Sequence, residues 1–478
     1  MDVHEFREAG HRAVDAMADY LAGIEERRVF PAVTPAEMEA LFDAPLPRAG
    51  MPLAQVLEQV EARLMPNCTH VGHPGYLGLI TPSPAPAGVL GDFIAAALNQ
   101  NIGAYSIGPA AVSLERRVVR WLADLVGFGP EAGGHLTSGG MLANLTGLKL
   151  ARDAVSGNRV QHEGVRGPSG VYVSEERHVS VDKSLDAIGL GRDSLRALPT
   201  DDAYQLRLDA LEQAITQDRR RGVRPLAVVA MAGTTNTGSV DDLAAIRGIC
   251  DRESLWMHVD AAYGGGMLLS RAHPGVLDGI ERADSVTIDP HKWFYAPLDA
   301  GAILVRDGAQ LTRSFGIKPP YLTDELDAAG ERFQYYVHSL EQSRRLRGLK
   351  VWMSFQRYGS RQIGRWIDDN VAVARRLHDL AAASPDFRSA TPPRMSGVCL
   401  RYECGLDERR SAALHARVAQ RMETLGRFWF STTVMKGVTF FRVNVVNFRT
   451  RPEHMDELFA LLRAECVRAH DALAAARP

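Results

Sequence analysis

The chain contains 478 residues, of which 46% are hydrophobic and 23% are charged, a composition typical of globular proteins. Its 55 basic and 57 acidic side chains give a formal net charge of −2, so no overall field favours binding to nucleic acid or to an anionic membrane. The five cysteines are few, odd in number and without metal-ligand spacing, which argues against a disulfide framework and predicts no metal site.

Neither the N-terminus nor the longest uncharged stretch predicts membrane insertion. The charged residues between Asp2 and Glu8 leave no room for the apolar core of a signal peptide. The uncharged stretch 71–91 is interrupted by prolines, whereas a membrane helix needs about 20 mostly apolar residues in helical form. We therefore expect a cytoplasmic protein with no membrane partner.

Two amphipathic helices are predicted in the first part of the chain. Apolar residues recur at steps of three and four between Phe6 and Ile24, and a second helix is predicted over 52–64. Two helices with one apolar face each cannot bury those faces by themselves. We therefore expect residues 1–85 to form an N-terminal helical segment that packs against a partner subunit.

Short apolar runs alternate with helical stretches between residues 86 and 359. The run 226–232 has no polar side chain, as expected for a central strand that is covered on both faces. The alternation predicts a large α/β domain with a mainly parallel sheet, in which ligands bind beyond the carboxyl ends of the strands. The predicted strands are 171–173, 226–232, 256–260, 286–288 and 302–305, and predicted helices include 206–220 and 243–251.

The pattern changes after Gly359 to that of a smaller α+β domain over 360–478. Its predicted elements are helices over 362–382, over 411–425 and from Pro452 onward, and strands over 398–402 and 439–446.

Polar residues with catalytic potential follow several predicted strands. Residues 137–140 form a glycine-rich turn that opens a helix, and such a turn presents backbone N–H groups to an anion. His178, Asp260 and Lys292 each stand at or just beyond the end of a strand. Each feature alone has a structural explanation, such as a helix cap or a solvated lysine. Together they supply the parts that pyridoxal phosphate needs: a Schiff-base lysine, an acid for the ring nitrogen, an anion site and a flat group against the ring.

The chain resembles the pyridoxal-phosphate-dependent group II decarboxylases, the family of aromatic-L-amino-acid decarboxylase. The motifs that carry the resemblance are LNQN at 98–101, TSGG at 137–140, HVDAAY at 258–263, DPHKW at 289–293, SRR at 343–345, LK at 349–350 and FFR at 440–442. The resemblance implies a fold-type I α/β enzyme with a large, mainly parallel-sheet domain over 86–359, the N-terminal helical segment and the small C-terminal domain. It also implies a homodimer with active sites at the subunit interface.

The resemblance further implies roles for individual residues. Lys292 would form the Schiff base, Asp260 would keep the ring nitrogen protonated, and His178 would stack on the ring. Tyr321, in the motif KPPYL at 318–322, would donate the proton to Cα of the substrate. The other implied cofactor contacts are Ser138, Gly139, Gly140, Met141, Thr235, Ala262, Asp289 and His291. Met141 stands where the family often has a serine, so backbone N–H groups must replace one hydroxyl at the phosphate.

The implied substrate pocket departs from that of animal aromatic decarboxylases. Its side chains are mostly aliphatic, and Ala104 stands where a phenylalanine is usual, so we expect a wider pocket. Ser343 occupies a position where plant relatives have Gly for indolic and Ser for phenolic substrates. The residues implied to contact the substrate are Val71, Leu79, Ile80, Ile102, Ala104, Ser343 and Arg442.

The expected activity is the decarboxylation of an L-amino acid to its amine, with an aromatic substrate such as tryptophan, phenylalanine, tyrosine or a hydroxylated derivative. An oxygen-dependent aldehyde synthase is one alternative, but such relatives tend to replace the loop tyrosine or the stacking histidine, and this chain keeps Tyr321 and His178. Decarboxylation of glutamate or aspartate is a second alternative, because Arg442 resembles an arginine that binds a distal carboxylate. Arg442 could equally be structural.

Overall fold

The computed structural model describes residues 2–317 and 332–475. Within these ranges the chain forms two compact units. The smaller unit combines the residues up to Leu79 with Ala372–Pro392 and the residues from Val398 onward, and the larger unit combines Ile80–Val371 with Pro393–Gly397. The division into 1–85, 86–359 and 360–478 stays a prediction.

The helices agree with the periodicity of the sequence in most places. The first helix and the helix that opens the region 52–64 both form, and the latter continues into a wider turn over Val60–Leu64. The α-helices of the described residues are Val3–Ala22, Pro35–Ala40, Leu53–Gln59, Pro86–Leu98, Pro109–Val126, Gly140–Val155, Val160–Glu163, Ser180–Ala187, Leu208–Arg220, Leu243–Glu253, Ala309–Phe315, Gly348–Ala382, Glu408–Leu425 and Pro452–Ala475. The helix Gly348–Ala382 is interrupted at Gly359, whose φ of 69° lies in the left-handed region.

The larger unit is built on a seven-stranded sheet in the order β1-β7-β6-β5-β4-β2-β3. β7 is antiparallel to both of its neighbours and all other pairs are parallel, which confirms the prediction of a mainly parallel sheet. The strands are β1 (Gly133–Thr137), β2 (Ser169–Ser174), β3 (Leu195–Leu198), β4 (Arg224–Met231), β5 (Trp256–Asp260), β6 (Ser285–Ile288) and β7 (Gly301–Val305).

The two strands that the sequence analysis missed lie at the two edges of this sheet. β1 begins with two glycines, and β3 is only four residues long with an arginine at its second position, so neither gives an apolar run. β4 lies inside the sheet, and all its residues from Leu226 to Met231 are buried, as its uninterrupted apolar sequence predicted.

The smaller unit contains a four-stranded antiparallel sheet in the order β10-β11-β9-β8. Its core lies between this sheet and the helices Glu408–Leu425 and Pro452–Ala475, and it includes Val418, Phe441 and Leu458. The strands are β8 (Phe387–Ser389), β9 (Gly397–Tyr402), β10 (Ser431–Met435) and β11 (Val438–Asn444).

Apolar side chains remain exposed on three helices. No helix among the described residues is long and apolar enough to cross a membrane, so these side chains do not form a membrane span. They belong to the helix Val3–Ala22, to the region 53–64 and to the helix Pro86–Leu98. The exposed residues are Val3, Phe6, Val14, Met17, Leu53, Val56, Val60, Leu64, Val89, Leu90, Phe93, Ile94 and Leu98.

A fully buried ion pair ties together distant segments of the larger unit. Arg344 Nη2 donates to Glu115 Oε1 at 2.7 Å and to the Leu136 carbonyl oxygen at 2.5 Å, and both charged side chains are 0% exposed. The backbone of Arg344 also bonds to the LNQN segment, because its N–H donates to Asn101 Oδ1 and its carbonyl accepts from Ile102 N–H. One residue thus joins a helix, the strand β1 and the segment that carries Ile102.

Replacing Arg344 by methionine should destabilise the protein strongly, because Glu115 would then be buried without its partner. We expect a loss of about 3–5 kcal/mol in the free energy of unfolding, measured by urea denaturation. Arg345→Met is the matched control: its side chain is 48% exposed and paired with Asp92 and Asp299, so its loss should stay below about 1 kcal/mol. Equal losses in the two variants would contradict this account.

Candidate active site

Lys292 lies in a tight turn just after β6. Its backbone N–H donates to the Asp289 carbonyl at 2.8 Å, and its Nζ lies 2.9 Å from Asp289 Oδ2. Burial lowers the pKa of Lys292, but the charges of Asp289 and Asp260 outweigh this effect and leave the pKa above its ordinary value. The other carboxylate oxygen, Asp289 Oδ1, is buried and has no hydrogen-bond partner among the described residues.

Asp260 is the last residue of β5, and each of its two carboxylate oxygens accepts a hydrogen bond. Its Oδ2 accepts a hydrogen bond from Asn144 Nδ2 at 2.7 Å, and its Oδ1 accepts from the Ala262 N–H at 3.1 Å. The residue is 5% exposed. The side chain is therefore a nearly buried acceptor whose orientation is fixed by two donors.

His178 follows β2 and is exposed. Its Nδ1 accepts from the Ser180 N–H at 3.2 Å. Asp260, Lys292 and Asp289 all interact electrostatically with the imidazole. The structure therefore brings the four predicted side chains into one cluster at the carboxyl ends of β2, β5 and β6.

Two glycines bring the start of a helix to this cluster. A Cβ atom on Gly140 would lie 2.8 Å from Asp289 Oδ2 and 3.2 Å from the Ala262 Cβ, and one on Gly139 would lie 3.1 Å from His291 Cε1. The first N–H groups of the helix Gly140–Val155 have no partner within the helix, so this end attracts an anion. Ser138 and Met141, on either side of the glycine pair, are exposed.

The remaining predicted cofactor contacts surround this cluster. His291 Nδ1 accepts from the Ala300 N–H at 2.9 Å, while its Nε2 lies 3.6 Å from Asp289 Oδ2. Thr235, in the turn after β4, is partly exposed, and Ala262 is buried beneath Asp260 in the following turn.

These groups fit pyridoxal phosphate. The lysine amine, the two nearly buried carboxylates and the anion-binding helix end match its aldehyde, its ring nitrogen and its phosphate. The glycine pair also fits, because a side chain at Gly140 would fill the space between the helix and Asp289. The open acceptor at Asp289 Oδ1 provides one more polar atom that a bound group can satisfy.

The predicted substrate residues fall into two groups. Ile102, Ala104 and Ser343 lie together in the larger unit, where the Gly103 carbonyl accepts from Tyr336 N–H and Ala104 packs against Tyr336. Ile80 is also in this unit and is partly buried.

The other group, Val71, Leu79 and Arg442, belongs to the smaller unit. There Arg442 Nη2 donates to the Gly78 carbonyl at 2.8 Å and its Nε donates to Ser431 Oγ at 3.0 Å. Two donor groups of this arginine therefore hold the 78–79 segment to β10. The predicted proton donor, Tyr321, lies outside the described residues.

Sequence reasoning assigned no role to two residues that support the cluster, one of them by direct contact with Asp260 and the other through it. Asn144 donates to Asp260, and His258 hydrogen-bonds to Asn144. A histidine inside the apolar run 256–260 and an asparagine one turn beyond the glycine pair were the available signals. Neither signal identifies its partner, because the bonded residues are far apart in sequence.

Comparison with known proteins identifies the family. The conserved domain of pyridoxal-dependent decarboxylases matches residues 35–403. An aromatic-L-amino-acid decarboxylase of Bacillus atrophaeus is 31% identical over 468 residues, which cover 97% of this chain and 96% of that protein. A phenylacetaldehyde synthase of Arabidopsis thaliana is 30% identical over 475 residues, with coverage of 97% and 96%.

A solved structure extends the likeness to the whole fold. The crystal structure of Oryza sativa TDC with PLP and tryptamine matches with a TM-score of 0.92 at 27% identity, and covers 98% of this chain and 99% of that one. This agreement confirms the predicted fold-type I architecture. The chain belongs to the pyridoxal-dependent decarboxylase family, and it is a pyridoxal-phosphate-dependent carboxy-lyase that acts on an amino acid.

Proposed function

We propose that the protein removes the α-carboxylate of an aromatic L-amino acid as carbon dioxide and releases the amine. The observation that carries the proposal is the cluster of Lys292, Asp260 and Asp289 beside the glycine-opened helix. The substrate class is supported by the aromatic-L-amino-acid decarboxylase of Bacillus atrophaeus and by the rice protein solved with tryptamine.

Each residue of the cluster has a proposed part in holding the cofactor. Lys292 would provide the amine that binds its aldehyde carbon, Asp260 would accept from its ring nitrogen, and His178 would stack on the ring. The phosphate is received by the helix end with its backbone N–H groups. The further contacts are Ser138, Gly139, Gly140, Met141, Thr235, Ala262, Asp289 and His291.

The proposed reaction breaks the Cα–carboxylate bond and forms a Cα–H bond. When bound, the cofactor supplies a protonated ring that takes up the electron pair of the breaking bond. Lys292 would be replaced by the substrate amino group, and Asp289, which lies beside Nζ, favours the protonated lysine. Tyr321 delivers the proton to Cα after carbon dioxide has left. The support for Tyr321 is its sequence motif, 29 residues after Lys292.

The substrate pocket is proposed to be lined by small and aliphatic side chains. Ile102 and Ala104 are buried with exposures of 0% and 3%, and Ser343 follows in the neighbouring segment. Val71, Leu79 and Ile80 are the other proposed lining residues. Decarboxylation of an acidic substrate has less support, because Arg442 already donates to Gly78 and Ser431.

An aldehyde synthase is the second candidate, because the Arabidopsis thaliana relative is a phenylacetaldehyde synthase. The residue pair Tyr321 and His178 favours amine release over this outcome. Measuring the ratio of amine to aldehyde released by the wild-type protein distinguishes the two functions.

We also propose a homodimer with active sites at the subunit interface. The exposed apolar side chains of the helix Pro86–Leu98 support it, since Leu90, Phe93 and Leu98 are each at least 50% exposed. Large contiguous apolar patches on a protein surface mark interaction sites. A cytoplasmic location is proposed because all five cysteines are free thiols.

Lys292→Ala should abolish cofactor attachment and nearly all turnover, because Lys292 is the only lysine paired with Asp289 among the described residues. The wild-type protein should show a visible absorption band that borohydride removes, and the reduced cofactor should then be found attached to Lys292. The Lys292→Ala variant should lack this band. Lys183→Ala is the control, since this exposed lysine also acts electrostatically on His178. A variant at position 292 that kept the band and its turnover would refute the assignment.

Tyr321→Phe should lower the rate of amine formation about 10²–10⁴-fold, the usual contribution of a positioned general acid. Cofactor binding should not change, because Lys292, Asp260 and His178 are intact. Oxygen consumption and the appearance of aldehyde, ammonia and peroxide would show that the unprotonated carbon reacts with oxygen instead. Tyr358→Phe is the control, because Tyr358 lies in the helix Gly348–Ala382, where its ring contacts Trp366. Amine formation at the wild-type rate would remove Tyr321 from the mechanism.

Phe93→Glu should weaken the proposed dimer, because it places a charge on the exposed apolar face of the helix Pro86–Leu98. Sedimentation should give about twice the chain mass of 52.3 kDa for the wild type and a shift toward that mass for the variant. Leu46→Glu is the control, since Leu46 is 91% exposed and lies outside the helices. A monomeric, fully active wild-type protein would be incompatible with the proposal.

A further inference from the structure

A line of hydrogen-bonded side chains runs along one face of the sheet from the partly buried Trp256 to the buried Asp260. Trp256, His258 and Asp260 are every second residue of β5, so their side chains lie on the same face of the sheet. On the neighbouring strand β6, Ser285 is the register partner of His258. Trp256 Nε1 lies 2.9 Å from Ser285 Oγ, and Ser285 Oγ lies 2.8 Å from His258 Nδ1. His258 Nε2 lies 3.0 Å from Asn144 Oδ1, and Asn144 Nδ2 lies 2.7 Å from Asp260 Oδ2.

The chemistry of Asn144 fixes the direction of these hydrogen bonds. Its Nδ2 has two hydrogens, and these are donated to Asp260 Oδ2 and to Ser180 Oγ, which lies at 2.8 Å. Its Oδ1 can only accept, so the proton of the imidazole must be on His258 Nε2. A reversed amide would instead face the Asp260 carboxylate with its oxygen.

The rest of the line follows from that tautomer. His258 Nδ1 carries a lone pair, so it accepts from the Ser285 hydroxyl, and the Ser285 oxygen in turn accepts from the Trp256 indole N–H. All four donors therefore point toward Asp260. Hydrogen bonds in such a series polarise one another and strengthen the last one.

The imidazole of His258 is both neutral and immobile. It is 0% exposed, and burial lowers its pKa to about 4 although the charge of Asp260 opposes the shift. A Cβ atom on Gly147 would lie 2.5 Å from His258 Cε1, so the ring lies directly against the backbone of the helix Gly140–Val155. Thr287 Oγ1, 3.4 Å from His258 Nε2, is the only further polar atom near that nitrogen in the described part of the chain.

We propose that Asn144 and His258 are positioning residues that hold the Asp260 carboxylate as a fixed acceptor for the protonated ring nitrogen of pyridoxal phosphate. The inference rests on the role of Asp260 in the proposed function. The Asn144 amide also links this acid to the turn that carries His178, because Ser180 accepts from Asn144 and donates its N–H to His178 Nδ1.

The experiment compares the affinity of the apoprotein for pyridoxal phosphate with its affinity for the 1-deaza analogue, which lacks the ring nitrogen. The wild type should bind pyridoxal phosphate more tightly than the analogue. His258→Met keeps the bulk of the side chain and removes its donor to the Asn144 amide, and should reduce that preference about tenfold, which is the upper range for one hydrogen bond between neutral groups. His258→Gln places an N–H donor near the position of Nε2 and should restore most of the preference.

His415→Met is the matched control, because His415 is an equally buried histidine in the smaller unit, where it bonds to Ser411 and Tyr402. It should leave the preference unchanged whatever it does to stability. Should His258→Met fail to fold, Ser285→Ala removes the donor to His258 Nδ1 and should also reduce the preference.

The outcomes separate the inference from the proposed function. A His258→Met or Ser285→Ala protein with the wild-type preference would overturn the inference. So would an equal loss of affinity for both ligands, since that is the result of a purely structural role. A wild-type protein with no preference for the ring nitrogen would instead overturn the role of Asp260 itself.

Discussion

The close approach of the helix Gly140–Val155 to the sheet is the constraint on which the site depends. Residues 140, 144 and 147 lie on one face of this helix, because they are spaced by four and three residues. Gly140 meets Asp289, Asn144 reaches Asp260, and Gly147 contacts the ring of His258. A larger side chain at either glycine would lift the helix away, and the anion-binding end and the Asn144 amide would both lose their positions.

This geometry explains how a mostly apolar sheet accommodates so many polar groups. The carboxylates of Asp260 and Asp289 are buried, and buried charge is costly unless it is paired or hydrogen-bonded. Asp289 is paired with Lys292, while Asp260 accepts from Asn144 and from the backbone. A continuous polar network runs from Ser285 on β6 through His258 on β5 to Asn144 on the covering helix.

The sequence predicted the parts of the fold that are locally encoded. β4 was evident because every residue from 226 to 232 is apolar, whereas β1 and β3 at the sheet edges lack such runs. Lys292, Asp260 and His178 were found because each follows a strand and matches a motif. His258 belongs to the HVDAAY motif, but its hydrogen bonds could not be predicted, because its partners Asn144 and Ser285 are 114 and 27 residues away and come together through the fold. The contacts of Arg442 with Gly78, 364 residues earlier, were hidden for the same reason.

The buried pair of Glu115 and Arg344 has a consequence for the response of the protein to heat. The dehydration cost of a buried charge falls as temperature rises, because the hydration of ions carries an unfavourable entropy. The free energy gained by burying hydrophobic surface instead reaches a plateau as temperature rises. Burying the pair that joins the helix Pro109–Val126 to β1 and to the segment at Ile102 therefore costs less free energy at high temperature than at low temperature.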